Sequence, residues 1–333
     1  MSPSSTPKLL WRSFSSPPFL DVPQWVGESV RAGFPQLQVV IGRDKETIAR
    51  ELEDCDILVS WTLQEEEFVR CRKLKWIHSP AAGVNAVLTP RLVESGVVVT
   101  NGRTVHAVPV AEHAIALVMA LARNLWECFH YQTERTWGLK QIWQGGHLPT
   151  EVSGKTLGLV GLGAIGREIA ARGKALGMRV VAAKRDPLQG CDLADRLYSP
   201  QQLPAMLEEV DYLVLAAPDT PETRRLIGEE ELRRMKPTAS LINISRGSLV
   251  DTEALIRAVE SGTIAGAALD VTDPEPLPPE HPLWATPHVL ITHHIGSATD
   301  RFWPRQTDLL KENLRRYLAG EPLLNLVDKS RGY

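Results

Sequence analysis

Three short polar segments carry side chains that could do chemistry on a charged small molecule. They are residues 243–247, which contain Arg246, residues 270–278, which contain Glu275, and residues 292–296, which contain His294. An arginine can hold a carboxylate and polarise a carbonyl oxygen through its planar set of donors. A histidine can give or take a proton, and a carboxylate on its other ring nitrogen fixes the tautomer and favours the protonated ring.

Each of these residues also has an ordinary structural explanation. A single arginine at a strand end is usually solvated or ion-paired, a glutamate among prolines usually lies in a surface loop, and a buried histidine is usually a core residue with its hydrogen bonds made. The chemical interpretation therefore depends on what the rest of the sequence provides.

A glycine turn provides a binding site for a dinucleotide. Residues 161–166 match G-x-G-x-x-G, follow the apolar run TLGLV and precede a helical pattern, which is the context that this motif requires. Gly161 permits a tight turn, Gly163 lets the backbone approach a pyrophosphate, and Gly166 allows close packing of helix on strand. The phosphates would then face the N-terminus of the helix. The alternative is a tight turn that binds nothing. The residues expected to contact the cofactor here are Gly161, Gly163, Ala164, Ile165 and Gly166.

The end of the following strand (residues 179–183) indicates which cofactor is bound. An acidic residue is expected there to hold the ribose hydroxyls of NAD, but Lys184 and Arg185 occupy the position. Cations pair with phosphate oxygens, so the sequence predicts that NADP(H) is preferred and NAD(H) is possible. In the alternative, both cations are solvated and Asp186 binds the ribose.

The elements that would position these residues alternate between strand and helix. Apolar runs predict strands, and amphipathic stretches predict helices between them, an order typical of an α/β fold with parallel sheets. Pro109 is expected in the first turn of a long helix that bridges two domains, and residues 322–328 look extended. The predicted strands are 37–41, 56–60, 74–79, 96–100, 156–160, 179–183, 211–217, 239–245, 264–271 and 289–293, and the predicted helices are 45–54, 64–71, 109–127, 167–177 and 305–320.

Composition excludes several classes of protein. The chain has 333 residues, 43% of them hydrophobic, which suffices for two cores, and its net charge of −3 argues against a nucleic-acid binder. No uninterrupted apolar run approaches the about 20 residues that span a bilayer. The Ser/Pro-rich residues 1–7 are expected to be a disordered tail, not a secretory signal. The four cysteines lack metal-ligand spacing, so neither a metal site nor a disulfide is expected; they are Cys55, Cys71, Cys128 and Cys191.

The sequence resembles the D-isomer-specific 2-hydroxyacid dehydrogenase family from about residue 50 to residue 328. The segments that carry the resemblance are 81–85, 110–123, 154–170, 211–223, 235–247, 266–278 and 281–284. The resemblance implies that Arg246, Glu275 and His294 are catalytic. Arg246 would hold the substrate carboxylate and polarise the keto oxygen, His294 would protonate that oxygen as hydride arrives, and Glu275 would hydrogen-bond the other ring nitrogen of His294.

The resemblance also implies further contacts. Backbone N–H groups of Ala82, Gly83 and Val84 would bind the substrate carboxylate, and the pocket near residues 61–63 would select its side chain. Asp270 would lie near the nicotinamide amide, or would be a turn residue. The other residues expected to line the cofactor are Pro218, Thr223, Ile244, Ser245 and Gly296.

One position departs from the family pattern. The family usually has proline before the catalytic histidine, whereas this chain has His293. The register of the residues that follow assigns the proton donor to His294.

The predicted architecture is α/β, with two Rossmann- or flavodoxin-like domains, parallel sheets and the active site in the cleft between them. Residues 1–103 and 300–333 would form the substrate domain, and residues 104–299 the dinucleotide-binding domain. A homodimer is expected, with residues 109–135 as its contact surface. Trp137, Trp143, Trp284 and Trp303 are expected in packing or subunit contacts. We expect a cytoplasmic protein that binds neither nucleic acid nor membrane.

The predicted function is hydride transfer between a nicotinamide cofactor and a small 2-keto acid or D-2-hydroxy acid, for example glyoxylate, hydroxypyruvate or a bulkier 2-keto acid. Oxidation of phosphoglycerate or phosphite is the alternative within the same class of enzyme. Members of the family that oxidise phosphoglycerate usually carry a C-terminal regulatory extension, which is not expected here. Formate oxidation is disfavoured because the family branch that performs it has a Gln-before-His arrangement, which is absent from this chain. The alternative from another class is a dinucleotide-sensing, corepressor-like binding protein.

Overall fold

The computed structural model describes residues 6–13, 20–144, 148–187 and 192–332. The chain divides into two compact units, one of Met1–His106 with Thr299–Tyr333 and the other of Ala107–Ala298. The sequence had placed these boundaries at 103/104 and 299/300. Residues 1–5 of the predicted tail and Cys191 lie outside the described residues.

The first unit is built on a five-stranded sheet. Its strands have the order β2-β1-β3-β4-β5, and every pair is parallel. This order is the flavodoxin-like one. Its elements are β1 Lys8–Arg12, α1 Gln24–Gly33, β2 Gln38–Gly42, α2 Lys45–Glu51, β3 Ile57–Val59, α3 Glu65–Arg70, β4 Trp76–Ser79, α4 Pro90–Glu94, β5 Val98–Asn101, the start of α5 Arg103–Ala122, and the helix Phe302–Ala319.

The second unit is built on a seven-stranded sheet. It continues from α5 through α6 Leu125–Thr133, α7 Leu139–Gln144, β6 Thr156–Val160, α8 Ala164–Ala175, β7 Arg179–Ala183, β8 Arg196–Tyr198, α9 Leu203–Leu207, β9 Tyr212–Leu215, α10 Glu229–Arg234, β10 Ser240–Asn243, α11 Thr252–Glu260, β11 Gly266–Leu269 and β12 Val289–Ile291. The helix Phe302–Ala319 of the first unit is therefore α12. The strand order is β12-β11-β10-β9-β6-β7-β8, again all parallel, which is the doubly wound order with one added strand. The predicted α/β fold with parallel sheets is confirmed.

Both sheets are covered on both faces. In β9, Leu213 and Leu215 pack in one buried cluster, while Tyr212 and Val214 pack in the cluster on the opposite face. Successive side chains of a strand point to opposite faces, so a sheet with two buried faces needs continuous apolar runs. The unbroken Val, Ile, Leu and Ala runs of the sequence follow from this requirement.

The long helix α5 differs from its prediction. It begins at Arg103, so Pro109 lies inside it, not in its first turn. Pro109 has no N–H to donate to the carbonyl of Val105, but burial of Val105 and Ala107 favours the earlier start. Its C-terminal end is also earlier than predicted, because Asn124 adopts a left-handed conformation (φ 51°) before α6. The helix is long and apolar enough to cross a bilayer, but 61% of its apolar window is buried in the fold, as in the core helix of a globular protein.

Three smaller differences concern short elements. The edge strand β8 and the strand β1 were not predicted, because charged residues at their ends leave only two and three apolar side chains in the respective strands. The predicted extended segment 322–328 makes an isolated antiparallel bridge from Leu326 to Thr100 rather than a strand. Helix α12 ends at Ala319 with Gly320 in a left-handed C-cap, as its glycine stop indicates.

Candidate active site

The glycine turn between β6 and α8 has the geometry of a phosphate-binding turn. Gly161 has φ +100°, and a Cβ there would lie 2.7 Å from the carbonyl oxygen of Ala216. A Cβ on Gly166 would lie 2.3 Å from the carbonyl oxygen of Gly161, so the helix approaches the turn closely. Space is open around Gly163: among the described residues, no atom beyond its chain neighbours and its own helix backbone lies within 4 Å of the position that a Cβ would take. The N–H groups of Ala164 and Ile165 in the first turn of α8 have no intrahelical acceptor. The residues present therefore fit a dinucleotide.

The residues predicted to be catalytic follow three adjacent strands. Arg246 follows β10, Glu275 follows β11 and His294 follows β12, and these strands are neighbours at one end of the sheet order. Since the strands are parallel, their carboxyl ends share one edge, which is where an open α/β sheet binds its ligand.

His294 and Glu275 form a direct pair. Nδ1 of His294 lies 2.5 Å from Oε1 of Glu275, and both side chains are about two-fifths exposed. A carboxylate only accepts hydrogen bonds, so Nδ1 carries a proton and Nε2 is left for proton exchange with a substrate. The contact predicted from the sequence is present.

Asp270 holds the loop that carries His294. Its Oδ1 accepts from the Thr292 hydroxyl (2.6 Å) and the Ile295 N–H (3.0 Å), and its Oδ2 accepts from the Gly296 N–H (2.9 Å). Its carbonyl accepts from the His294 N–H (2.8 Å). Burial by itself raises the pKa of Asp270, but hydrogen bonds from His113, Thr292 and Gly296 together lower it to about 2. These bonds keep His294 at φ 54°, an uncommon conformation for a residue with a side chain.

Arg246 is positioned through its backbone. The buried Asn243 side chain donates to the Arg246 carbonyl (2.8 Å) and accepts from the Ser245 N–H (3.1 Å). A Cβ on the next residue, Gly247, would lie 2.0 Å from the backbone of Thr272, so this turn packs against the loop that leads to Glu275. The Arg246 guanidinium donates to the Ser245 carbonyl (2.7 Å) and is half-buried.

The remaining predicted cofactor residues occupy the ends of β9 and β10. The Thr223 hydroxyl donates to the Pro218 carbonyl (2.7 Å) and closes the turn after β9. The Ser245 hydroxyl donates to the Ala217 carbonyl and so joins the two strand ends. Ile244 is 7% exposed and packs in the core, so only its backbone could touch a cofactor.

The segment after β7 presents its charges to solvent. Lys184 is half-buried, with its N–H donating to the Tyr198 carbonyl (3.0 Å), whereas Arg185 and Asp186 are exposed. Arg185 lies near enough to Glu222 to help lower the pKa of that carboxyl, after the hydrogen bond from Thr220.

The predicted carboxylate-binding turn lies in the first unit, after β4. The Asn101 side chain donates to the Ala82 carbonyl (2.7 Å), and the Gly102 N–H donates to the Ala81 carbonyl (2.8 Å). Within the described ranges, the N–H groups of Ala82, Gly83 and Val84 have no acceptor. Successive free N–H groups in a turn can bind an anion.

His293 differs from His294 in its surroundings. It is exposed, and its ring lies 6.2 Å from that of Trp284, centroid to centroid, at an angle of 32°. The Trp284 indole in turn donates to the Pro278 carbonyl (2.8 Å).

Sequence reasoning missed the residues that hold the loop of His294. Thr292 and His113 both contact Asp270, and His113 lies on α5, far from the loop in sequence. The feature of the sequence that could have indicated them is His113, a polar residue within the apolar sequence of α5. In the part of the chain that the structure describes, no three His, Cys, Asp or Glu residues are grouped to hold a metal ion.

Comparison with known proteins adds independent findings. The family model "D-isomer specific 2-hydroxyacid dehydrogenase, NAD binding domain" matches residues 115–296. Glyoxylate reductase of Korarchaeum cryptofilum is 39% identical over 292 residues, 86% of each chain. D-3-phosphoglycerate dehydrogenase of Synechocystis is 35% identical over 98% of this chain and 59% of the relative. The structure of a D-isomer specific 2-hydroxyacid dehydrogenase from Xanthobacter autotrophicus in complex with NADPH and MES has a TM-score of 0.81 at 30% identity, with 99% and 100% coverage.

A doubly wound sheet with this glycine turn, and a His–Glu pair at its carboxyl edge, defines a nicotinamide-linked oxidoreductase. The chain belongs to the D-isomer specific 2-hydroxyacid dehydrogenase family. It transfers hydride between a nicotinamide cofactor and a small 2-keto or 2-hydroxy acid. These relatives give no support to the alternative of a corepressor-like binding protein.

Proposed function

We propose that the chain is a reductase of a small, unbranched 2-keto acid that prefers NADPH. The observation that carries the proposal is the His294–Glu275 pair, because it leaves Nε2 of His294 as the proton donor at the edge where a ligand binds. The relative from Korarchaeum, named as a glyoxylate reductase, supports a substrate of this size, glyoxylate or hydroxypyruvate.

The chain's own residues would divide the work as follows. Arg246 would bind the carboxylate and polarise the keto oxygen, with its backbone held by Asn243. His294 would give that oxygen a proton, and Glu275 would keep the ring oriented and stabilise it when doubly protonated. When bound, the nicotinamide cofactor supplies the hydride. In the oxidative direction His294 would be the base.

Two sets of backbone and side-chain groups would bind the ligands. Gly161–Gly166 and the strand-end residues would hold the cofactor, and the free N–H groups of Ala82, Gly83 and Val84 would bind the carboxylate of the substrate. The second unit would then be the dinucleotide-binding domain and the first the substrate domain.

The preference for NADPH rests on the cations after β7. Lys184 and Arg185 stand where an acidic residue would hold the ribose of NAD, and a cation there favours a 2′-phosphate. The NADPH complex of the relative from Xanthobacter supports this cofactor.

The surface of α6 and α7 bears on the assembly of the protein. Large apolar side chains are exposed along α6, α7 and the link between them, including Phe129 and Trp137, the latter 88% exposed. Such a surface on a globular unit suits a partner, and we propose a homodimer in the cytoplasm.

The experiment is an NADPH-oxidation assay with a panel of 2-keto acids, repeated with NADH. We expect turnover of glyoxylate or hydroxypyruvate, with kcat/KM higher for NADPH than for NADH. The panel includes pyruvate, a branched 2-keto acid and 3-phosphohydroxypyruvate as competing substrates. Preference for any of these would contradict the proposed substrate, and preference for NADH would contradict the proposed cofactor. Sedimentation of the same preparation measures the dimer.

A further inference from the structure

His113 lies on α5 and contacts the active-site loops, although the proposed reaction does not use it. Its side chain is 18% exposed and faces the ends of β11 and β12. Its Nε2 lies 2.9 Å from the Thr292 hydroxyl oxygen and 3.2 Å from Oδ1 of Asp270.

The direction of these hydrogen bonds follows from the donors available. Thr292 has one hydroxyl proton, and it is given to Asp270 over 2.6 Å. The Thr292 oxygen can therefore only accept from His113, and a carboxylate can only accept as well. Nε2 of His113 thus carries the proton and is shared between Thr292 and Asp270.

Asp270 transmits this contact to the loop of the proton donor. It is 3% exposed, and its oxygens accept from Ile295 and Gly296, the two residues that follow His294. Gly296 is packed so closely that a Cβ would lie 2.8 Å from Asp270 Oδ2 and 3.0 Å from the His113 ring. Asp270, His113 and the loop therefore form one packed, hydrogen-bonded cluster.

We propose that His113 is a positioning residue for the proton donor. By donating to Thr292 and Asp270 it fixes the Asp270 carboxylate, which fixes the loop and so the place of the His294 imidazole beside Glu275. His113 touches neither reacting atom. The inference rests on the proposed role of His294, and it extends the machinery of proton transfer to a helix outside the strand-end loops.

The test compares three substitutions at this position. His113→Leu removes the donor. His113→Gln keeps an N–H near the place of Nε2, and His113→Asn carries the same amide on a shorter side chain that does not reach. Because small displacements of a catalytic group lower the rate strongly, we expect kcat to fall about tenfold in His113→Leu and His113→Asn. His113→Gln should recover to within about threefold of wild type, and KM for the keto acid and for NADPH should change less than about twofold.

A control and a second variant separate positioning from stability. Glu112→Gln alters the adjacent, exposed residue of α5, which pairs with Arg172, and should leave kcat unchanged. Thr292→Val removes the hydroxyl that His113 donates to and should lower kcat in the same way. If His113→Leu does not fold, the difference in kcat between His113→Gln and His113→Asn still tests the proposal. Wild-type kcat in His113→Leu, or equal loss in all three variants, would overturn the proposal, as would losses in proportion to the unfolded fraction.

A spectroscopic readout keeps this proposal separate from the proposed function. In protein with 13C-labelled histidine, the ring resonance of His294, assigned by its loss in His294→Ala, should shift in His113→Leu and His113→Asn and return in His113→Gln. If no keto acid is turned over by the wild type, the proposed function fails, yet this measurement still tests the positioning. An unchanged His294 resonance in His113→Leu would overturn it.

Discussion

The loop after β12 and the segment after β7 end two strands of the same sheet, but the protein fixes them to different degrees. Residues 292–296 wrap around a buried carboxylate that accepts from two backbone N–H groups and one hydroxyl. In residues 184–187, the Lys184 N–H donates to the Tyr198 carbonyl, and the side chains of Arg185 and Asp186 are exposed.

The difference shows where the fold defines geometry before a ligand binds. Proton transfer needs a donor held within a fraction of an ångström, and hydrogen bonds within the protein provide this. Recognition of a 2′-phosphate needs only flexible cations near its path, since charge attraction tolerates small displacements. Four substitutions test this contrast between the fixed loop and the exposed segment.

The largest effect is expected at His294, the proposed proton donor. His294→Ala should lower kcat for the keto acid about 10³-fold, because general acid catalysis contributes of that order. KM for NADPH and the thermal midpoint should stay near wild type, because the side chain is exposed. His293→Ala is the matched control and should retain most of its activity in the same steady-state assay. The reverse outcome would transfer the role to His293.

The second effect concerns the carboxylate partner. Glu275→Gln can still accept from Nδ1 of His294 but removes the negative charge, so kcat should fall about 10- to 100-fold, by analogy with other His–carboxylate pairs. Glu280→Gln changes an exposed residue of the same loop and should be neutral. If both variants have the same kcat, the Glu275–His294 contact has no part in catalysis.

The third effect is on stability in acid. The pKa of Asp270 is about 2 in the folded protein against a usual 3.8, so its stabilisation is present above pH 3.8 and is lost as the pH falls through 2. The shift corresponds to roughly 2 kcal/mol. In urea unfolding, Asp270→Asn should be less stable than wild type at pH 7, and the difference should shrink towards pH 3. Asp273→Asn, at an exposed neighbour, is the matched control for removal of a carboxylate. A difference for Asp270→Asn that stays constant with pH would contradict the assignment.

The smallest effect is expected in the exposed segment. Replacing Lys184 and Arg185 together with glutamine should raise KM for NADPH about tenfold, the size of one charge-assisted hydrogen bond. KM for NADH should change less than about twofold. Asp186→Asn is the comparison variant: if it impairs NADH while the double variant affects both cofactors equally, Asp186 binds the ribose and the NADPH preference is wrong.

Sequence periodicity predicted ten of the twelve described strands because both sheets are buried on both faces, which forces long apolar runs, but it did not predict helices such as α1 and α11. It failed where the local signal was weak or overruled by tertiary packing. Strand β8 has three residues, and the first turn of α5 is stabilised by burial of Val105 and Ala107 in spite of Pro109.

The contacts of the candidate site likewise include some that could be predicted and some that could not. The family resemblance implied that Glu275 would contact His294, and in the structure both residues follow neighbouring parallel strands. Neither the resemblance nor the local sequence pattern predicted that His113 contacts Asp270, since a helix residue and a strand end so far apart in the sequence share no local pattern. The identity of such supporting residues depends on how a helix rotates on its sheet, which only the folded chain defines.

The exposure of the segment after β7 also has an evolutionary consequence. Arg185 and Asp186 are exposed, so substitutions there disturb no core, and under the proposed function a lineage could exchange one nicotinamide cofactor for the other in few steps. Gly296 does not tolerate substitution in the same way, because a side chain there would collide with Asp270 and His113. Under the proposed function, metabolic adaptation in this chain is therefore open at the adenosine end of the cofactor and closed at the reacting carbon.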